Sequence, residues 1–225
     1  MKIDPPVGLN NKEKHLVEKF CPILLTQPSE PFSLKDVAAV FHPTKPIIGY
    51  HLFWEDDYDF PDDNEPSDHE EVWIEYNPKT ETVKKVYAWF HSRVIESSEA
   101  VTEAMHHNQR AIIRIEWGKH GSLLKGWENM YDSTGISYLE WMKATFERLK
   151  QGGRVKHHPL KNYWPEKFVG TFDDYIMFSK KIEPLEWLQK KPLMYKSQWV
   201  NAVLFTHCIH YNFHPKMGWP DRCFS

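Results

Sequence analysis

Eleven acidic residues fall between Glu55 and Glu75, and no Lys or Arg interrupts them. Gathered carboxylates repel one another, so water or a bound cation must screen them. Asp68 and Glu70 close the stretch where a strand-like run begins. At a spacing of two, their side chains leave the backbone on the same side. Two hard oxygen ligands suit Mg, Ca or Mn, and added imidazoles shift the balance toward Mn, Fe or Zn. His91 ends the apolar run YAWFHS, and His120 lies in Gly118-Lys119-His120-Gly121-Ser122, where flanking glycines permit a tight turn. On the metal reading the ligands are Asp68, Glu70, His91 and His120, with the identity of the divalent ion left open among Mn, Zn, Fe, Mg and Ca; on a purely structural reading the acidic stretch is a solvated loop and the histidines are core residues. His120 doubles as a candidate acid or base, and Lys119 as the group that steadies developing negative charge.

This chemistry points to a divalent-metal-dependent enzyme: a hydrolase, with a lyase as the variant, acting on a small polar or anionic substrate. The other reading is a non-catalytic lipid- or carbohydrate-binding module with a structural cation, its aromatic platform drawn from Trp54, Trp73, Trp89, Trp117 and Trp127. On either reading, most carboxylates from Glu55 to Glu65 are expected to be solvated loop charge. A second cluster, His207-Cys208-x-His210-x-x-x-His214, matches no standard zinc spacing. As a strand it would put Cys208 and His210 on one face and His207 on the other. No phosphate loop, dinucleotide fingerprint or nucleophile elbow is present.

The elements that must position these groups are short. Asn11 to Phe20 reads as a helix with Leu16, Val17 and Phe20 inward, and Ser33 as the cap of a second helix running to Val40. IIGYHLFW and EEVWIEY read as strands. In the latter, Glu70, Val72, Ile74 and Tyr76 share one face, and Glu71, Trp73 and Glu75 the other. NPKTET is a hairpin turn into VKKVYAWFHS; Glu99 to His106 is a short helix and Arg110 to Trp117 a strand. Ile136 to Lys150 is the one strong amphipathic helix, ended by Gly152 and Gly153. Strand-like runs follow at Phe168 to Phe178 and Trp199 to Tyr211.

Ten Trp and sixteen Pro among 225 residues disfavour a helix bundle. The fold expected is mainly β within an α+β class: an antiparallel β-sandwich with peripheral helices. It forms one domain, 1–225, in which 20–122 is the sandwich half and 123–225 an elaboration. A net charge of -3 gives no nucleic-acid footprint, and no apolar run reaches the roughly 20 residues of a membrane span. Three cysteines and no apolar leader point to a reduced, cytoplasmic setting. The partner expected is a small-molecule substrate, and oligomeric state is not legible.

Three of these segments occur in a recognisable order. Asp68-His69-Glu70-Glu71-Val72-Trp73-Ile74 resembles the D-W-E-H-V-x-V strand of the vacuolar-protein-sorting-like family of unknown function. Val86 to Ser92 resembles its V-Y-F-S-Q-H-S strand, and Ile113 to Ser122 its V-Y-x-A-x-G-S-H-A-S segment. CPILLTQPSEPF and YHLFWEDD are similar to that family's P-V-L-x-x-x-x-x-E opening and aromatic strand. The D-W-E core is also similar to that of the necrosis-and-ethylene-inducing-peptide-like toxins, whose H-D-W-E motif holds a divalent cation on a β-sandwich. The match spans Phe20 to Ser122. His69 stands where the family has Trp, Glu71 where it has His, and no His precedes Asp68. The resemblance therefore implies a sandwich and a cation site at Asp68 and Glu70, with His91 and His120 near the same cavity. It does not imply the toxins' membrane attack.

Overall fold

The computed structural model describes residues 7–58, 68–152, 164–197 and 218–220. Two sheets carry it. The larger has seven strands in the order β1-β11-β3-β4-β5-β6-β7, and the smaller has four in the order β10-β2-β8-β9. In the larger sheet these are β1 (Val7–Gly8), β3 (Leu34–Phe41), β4 (Ile47–Trp54), β5 (Asp68–Asn77), β6 (Thr82–Phe90), β7 (Arg93–Glu96) and β11 (Met194–Lys196). The smaller holds β2 (Ile23–Thr26), β8 (Ile112–Ile115), β9 (Ser122–Leu123) and β10 (Lys180–Ile182). The expected α+β sandwich-like architecture is present. Its pairing is mixed, because β11 runs parallel to β3 and β2 parallel to β8. Strands from the C-terminal third stand in both sheets, so that part of the chain builds the sandwich as well as decorating it.

The alternation on β5 is as expected. It pairs antiparallel with β4 through Ile47↔Glu75 to Trp54↔Asp68. Val72, Ile74 and Tyr76 join Tyr50, Leu52 and Trp54 in the main core between the sheets, together with Ile113, Ile115 and Trp117. Trp73 turns to the opposite, outer face and packs with Ala38, Val40, Phe53 and Trp219 in a second cluster. The central strands are therefore buried on both faces, and their near-continuous apolar runs follow from that.

Helix α1 (Asn11–Phe20) is as expected, with Leu16, Val17 and Phe20 buried and a capping box between Asn10 and Glu13. Helix α2 (Ser98–His106) starts at Ser97, whose hydroxyl accepts from the Ala100 N–H. The helix expected from Ser33 is instead β3. The Ser33 N–H and hydroxyl donate to the Glu55 carboxylate, 22 residues away, in place of a local helical turn. Val37 and Ala39 then face the main core while Ala38 and Val40 face the outer one. Double-sided burial outweighs the local capping signal. Helix α3 (Tyr138–Lys150) begins at a Ser137–Glu140 capping box, so Ile136 falls outside it and is exposed. Phe168 to Phe178, expected as a strand, contains the short helix α4 (Phe172–Tyr175), set by a Thr171–Asp174 capping box. Helix α5 (Pro184–Lys190), with Pro at its first turn, went unanticipated. Trp199 to Tyr211, Gly153 and the His207/Cys208/His210/His214 cluster lie outside the described residues.

The aromatic platform also needs correction. Trp54, Trp73, Trp117 and Trp127 are 0–1% exposed and belong to the interior. Such large apolar areas stabilise most when removed from water, and these side chains pack cores rather than presenting a surface.

Candidate functional site

Two hairpin tips meet at one end of the sandwich. The first joins β6 to β7 through His91 and Ser92, with φ of 44° and 65°. A two-residue turn with both φ positive normally takes Asn-Gly, and here it takes His-Ser. The second joins β8 to β9. The Glu116 N–H donates to the Gly121 carbonyl at 3.0 Å, and the His120 N–H to the Glu116 carbonyl at 2.9 Å. His120 sits at φ 56°. Left-handed backbone disfavours L side chains, so both tips carry strain to place an imidazole. Gly121 lets the tips close. A Cβ there would lie 2.9 Å from Glu116 Oε2 and 3.1 Å from His91 Nε2.

Each imidazole is held by carboxylates, of which Glu116 and Glu30 are buried. His91 Nε2 makes a short contact with Glu116 Oε2, and the Tyr175 hydroxyl donates to Glu116 Oε1 at 2.8 Å. The Glu116 side chain is fully buried and His91 is 17% exposed. Burial alone would raise the Glu116 carboxyl. His91, Lys119 and the Tyr175 hydroxyl outweigh it and hold the group below the usual carboxylate range. Lys119, the expected charge stabiliser, is itself buried, on the same tip.

His120 is fixed at both nitrogens. Its Nδ1 lies 2.9 Å from Asp68 Oδ2 and its Nε2 3.3 Å from Glu30 Oε1. Burial alone would lower the imidazole. The two carboxylates outweigh it and push the pKa up to about 10, so His120 is an imidazolium at neutral pH. The Trp54 ring stacks on it at 4.2 Å and 4° between planes, as a π face does on a cation, and Phe32 meets it edge-on. Glu30 is positioned by backbone: Phe32 N–H donates to Oε1 at 3.0 Å and Gly118 N–H to Oε2 at 2.8 Å.

The structure thus brings Asp68 to His120, places Glu70 in the interior on the same side of β5 as Asp68, and gives His91 a different partner, Glu116. Both His120 nitrogens are engaged by carboxylates, and His91 Nε2 is engaged by Glu116. Asp68 Oδ1 accepts the His69 N–H at 2.7 Å while Oδ2 faces His120. Among the described residues, no group of three His, Cys, Asp or Glu converges on a metal position. What the arrangement offers is paired carboxylate–imidazole chemistry.

Sequence reasoning assigned no role to Glu30, Glu116 or Tyr175. Glu116 lies within the Ile113 to Ser122 segment, and Glu30 is the glutamate of the P-V-L-x-x-x-x-x-E opening, so a signal existed for both. Tyr175 had none, since it reaches Glu116 across 59 residues. Of the acidic stretch, Glu55 pairs with Lys35 at 3.1 Å, Asp56 and Asp57 are buried rather than solvated, and Asp59, Asp62, Asp63 and Glu65 lie outside the described residues.

On the outer face of β4 and β5 lies a second polar cluster. His51 Nε2 is 3.2 Å from Glu71 Oε1, and His51 Nδ1 is 2.9 Å from His69 Nε2. Burial pushes the His51 imidazole down to about 3, so it is neutral. Gly49 leaves room for Glu71, whose Oε1 would lie 3.1 Å from any Cβ at that position.

No protein-family model matches the chain. No curated protein matches it either. Among solved structures, it is similar to necrosis and ethylene inducing protein 2 from the causal agent of cocoa's witches' broom disease. The identity is 14%, the TM-score 0.32, and the match covers 65% of this chain and 84% of that one. No helix among the described residues is long and apolar enough to cross a membrane.

Proposed function

We propose that the chain is a hydrolase acting on a small polar or anionic substrate, with His91 as its general base. One observation carries this reading. Two imidazoles occupy left-handed backbone positions on adjoining hairpin tips, and each is locked by buried carboxylate. Strain and buried charge of this kind cluster at functional sites.

Glu116 orients His91 through Nε2, which leaves Nδ1 to take a proton from an attacking water. His91, Lys119 and the Tyr175 hydroxyl outweigh burial and keep Glu116 ionised, so that it orients the imidazole. Lys119 supplies positive charge at the neighbouring tip, while the His120 imidazolium is neutralised by Asp68 and Glu30 and serves to hold that tip in place. Asp68 and Glu30 position His120. The divalent-cation dependence expected from the sequence enters as a question for measurement, and no step above relies on it. Membership of the vacuolar-protein-sorting-like family is proposed on the ordered segments alone.

The test is turnover of a panel of chromogenic esters, phosphate esters and glycosides by purified protein, with and without chelator. His91→Gln should lower kcat by about 10²–10⁴-fold while the near-UV circular dichroism stays unchanged. Activity that survives His91→Gln, or no turnover across the panel, rejects the hydrolase. Chelator-sensitive activity restored by one metal would return the cation to the mechanism.

A further inference from the structure

Arg93 follows directly after the His91–Ser92 turn, and its side chain folds back over it. On the reading of His91 as general base, we propose that Arg93 is its positioning residue. It holds the backbone of the strained turn directly and the face of the imidazole through Trp141.

Neither His91 nor Ser92 favours the left-handed backbone that it adopts. The pairing of β6 with β7 ends at Phe90↔Arg93, so the ladder does not reach into the turn. The Arg93 side chain does. Its Nη1 donates to the His91 carbonyl at 3.1 Å, and its Nη2 to Asp132 Oδ2 at 2.9 Å. Asp132 is fixed in its turn. Its Oδ1 accepts the Thr134 N–H at 2.8 Å, the Thr134 hydroxyl at 2.6 Å and the Ile136 N–H at 3.0 Å. Arg93 therefore ties the His91 turn to the loop that leads into α3.

The ring is held separately. Glu116 grips one nitrogen, and a single contact leaves a ring free to tilt about it. Phe90 meets the imidazole edge-on at 4.5 Å, and Trp141 of α3 covers it at 5.2 Å and 37° between planes. The Trp141 indole N–H has no hydrogen-bond partner among the described residues, so packing sets the angle of that ring. The Arg93 guanidinium lies 5.3 Å from the Trp141 ring centroid, as a cation over a π face. A surface Arg–Asp pair by itself contributes little. This one belongs to a run, Asp132–Arg93–Trp141–His91, that ends on the base. A planar guanidinium can make both donations and stack at once, which a Lys ammonium cannot.

The test is long-range proton–nitrogen NMR of the histidine rings in the whole chain, comparing wild type with Arg93→Ala, Arg93→Lys and Asp132→Asn. Thermal melts accompany it, with kcat and KM on whichever substrate of the panel is turned over. Wild-type His91 should be a single Nε2–H tautomer, as its bond to Glu116 requires. In Arg93→Ala its resonances should shift and the Nδ1–H form should emerge, while the His120 ring stays as in wild type. There kcat should fall by about 10- to 100-fold, with KM changed less than about twofold. Arg93→Lys should show the same ring shift although it keeps the charge. Should Arg93→Ala fail to fold, Arg93→Lys and Asp132→Asn decide by the same readout. A His91 ring identical to wild type in the folded variants overturns the positioning role. An equal disturbance at His120 overturns it too, because it marks general loosening, and so does a fall in kcat with the His91 ring unmoved. The ring readout needs no substrate, so a protein that turns over nothing rejects the hydrolase while the NMR still decides what Arg93 does to His91.

Discussion

Gly121 shows how little room joins the two hairpin tips. A methyl group there would push on Glu116 and His91 together, at 2.9 and 3.1 Å, and on Phe90 Cδ2 at 3.0 Å. The carboxylate is buried and the Phe90 ring is core, so neither can swing away freely. Gly121→Ala is therefore expected to part His91 from Glu116, to cost about 1–3 kcal/mol of stability as an overpacked site does, and to reduce any His91-dependent turnover. A denaturant melt together with the His91 ring resonances of the variant would check this. A ring environment identical to wild type would mean that the tips do not close as described. Ser122, one residue on, is also buried, which keeps the start of β9 tight against the site.

Strand β8 is tied to its neighbours by arginines that the core cannot replace. Arg110 Nε donates to the Cys21 carbonyl at 2.7 Å, and its Nη2 to the Pro22 carbonyl at 3.2 Å and Glu183 at 2.6 Å. One side chain thus joins the end of α1, the start of β2 and the residue ahead of α5. Arg114 makes a two-pronged pair with Glu103 of α2, at 2.6 and 3.0 Å. Because guanidinium planarity matches several acceptors at once, Lys is not an equivalent. Arg110→Ala should destabilise the fold by about 2 kcal/mol, and Arg110→Lys should recover only part of it. Equal melting points for wild type and Arg110→Ala would show that the latch contributes nothing. Loosening this end of β8 should also loosen Glu116, which lies just beyond the strand's other end.

The two buried polar clusters should act on stability in opposite senses with pH, their joint contribution being greatest near 6.5. His51 is neutral in the folded state down to about pH 3 but titrates near 6.5 when unfolded. Between those values the unfolded chain binds the extra proton, so stability rises with pH and is lost as pH falls. His120 behaves in the opposite sense. It keeps its proton up to about pH 10 when folded and loses it near 6.5 when unfolded. Its contribution is fully present below about 6.5 and disappears as pH rises toward 10. Equilibrium unfolding across pH 4 to 10 should trace this dome. In His120→Gln the alkaline slope should flatten while the acid slope remains. An unchanged alkaline limb would mean that His120 is not the group held charged between Asp68 and Glu30. The clusters sit on opposite sides of β5, since Asp68 and Glu70 face the main core while His69 and Glu71 face outward.

That split was legible in the alternation of EEVWIEY, because a strand's side chains must leave on alternating sides whatever surrounds them. The helix at α1, the hairpin into β6 and the approximate extent of α3 were legible for the same reason: cap, turn and period are local. The pairings were not. Whether His91 meets Asp68 or Glu116 depends on how the β6–β7 tip lies against the β8–β9 tip, and no local rule sets that. Ser33 carried a helix-capping signal, yet Glu55 and burial on both faces made β3 a strand. Trp54 could be read as a platform until the second sheet covered it and left it stacked on His120. The chain's order dictated which imidazoles and carboxylates were available. The packing of two sheets decided which of them touch, because contacts between residues far apart in sequence form only once the core has excluded water and brought them together.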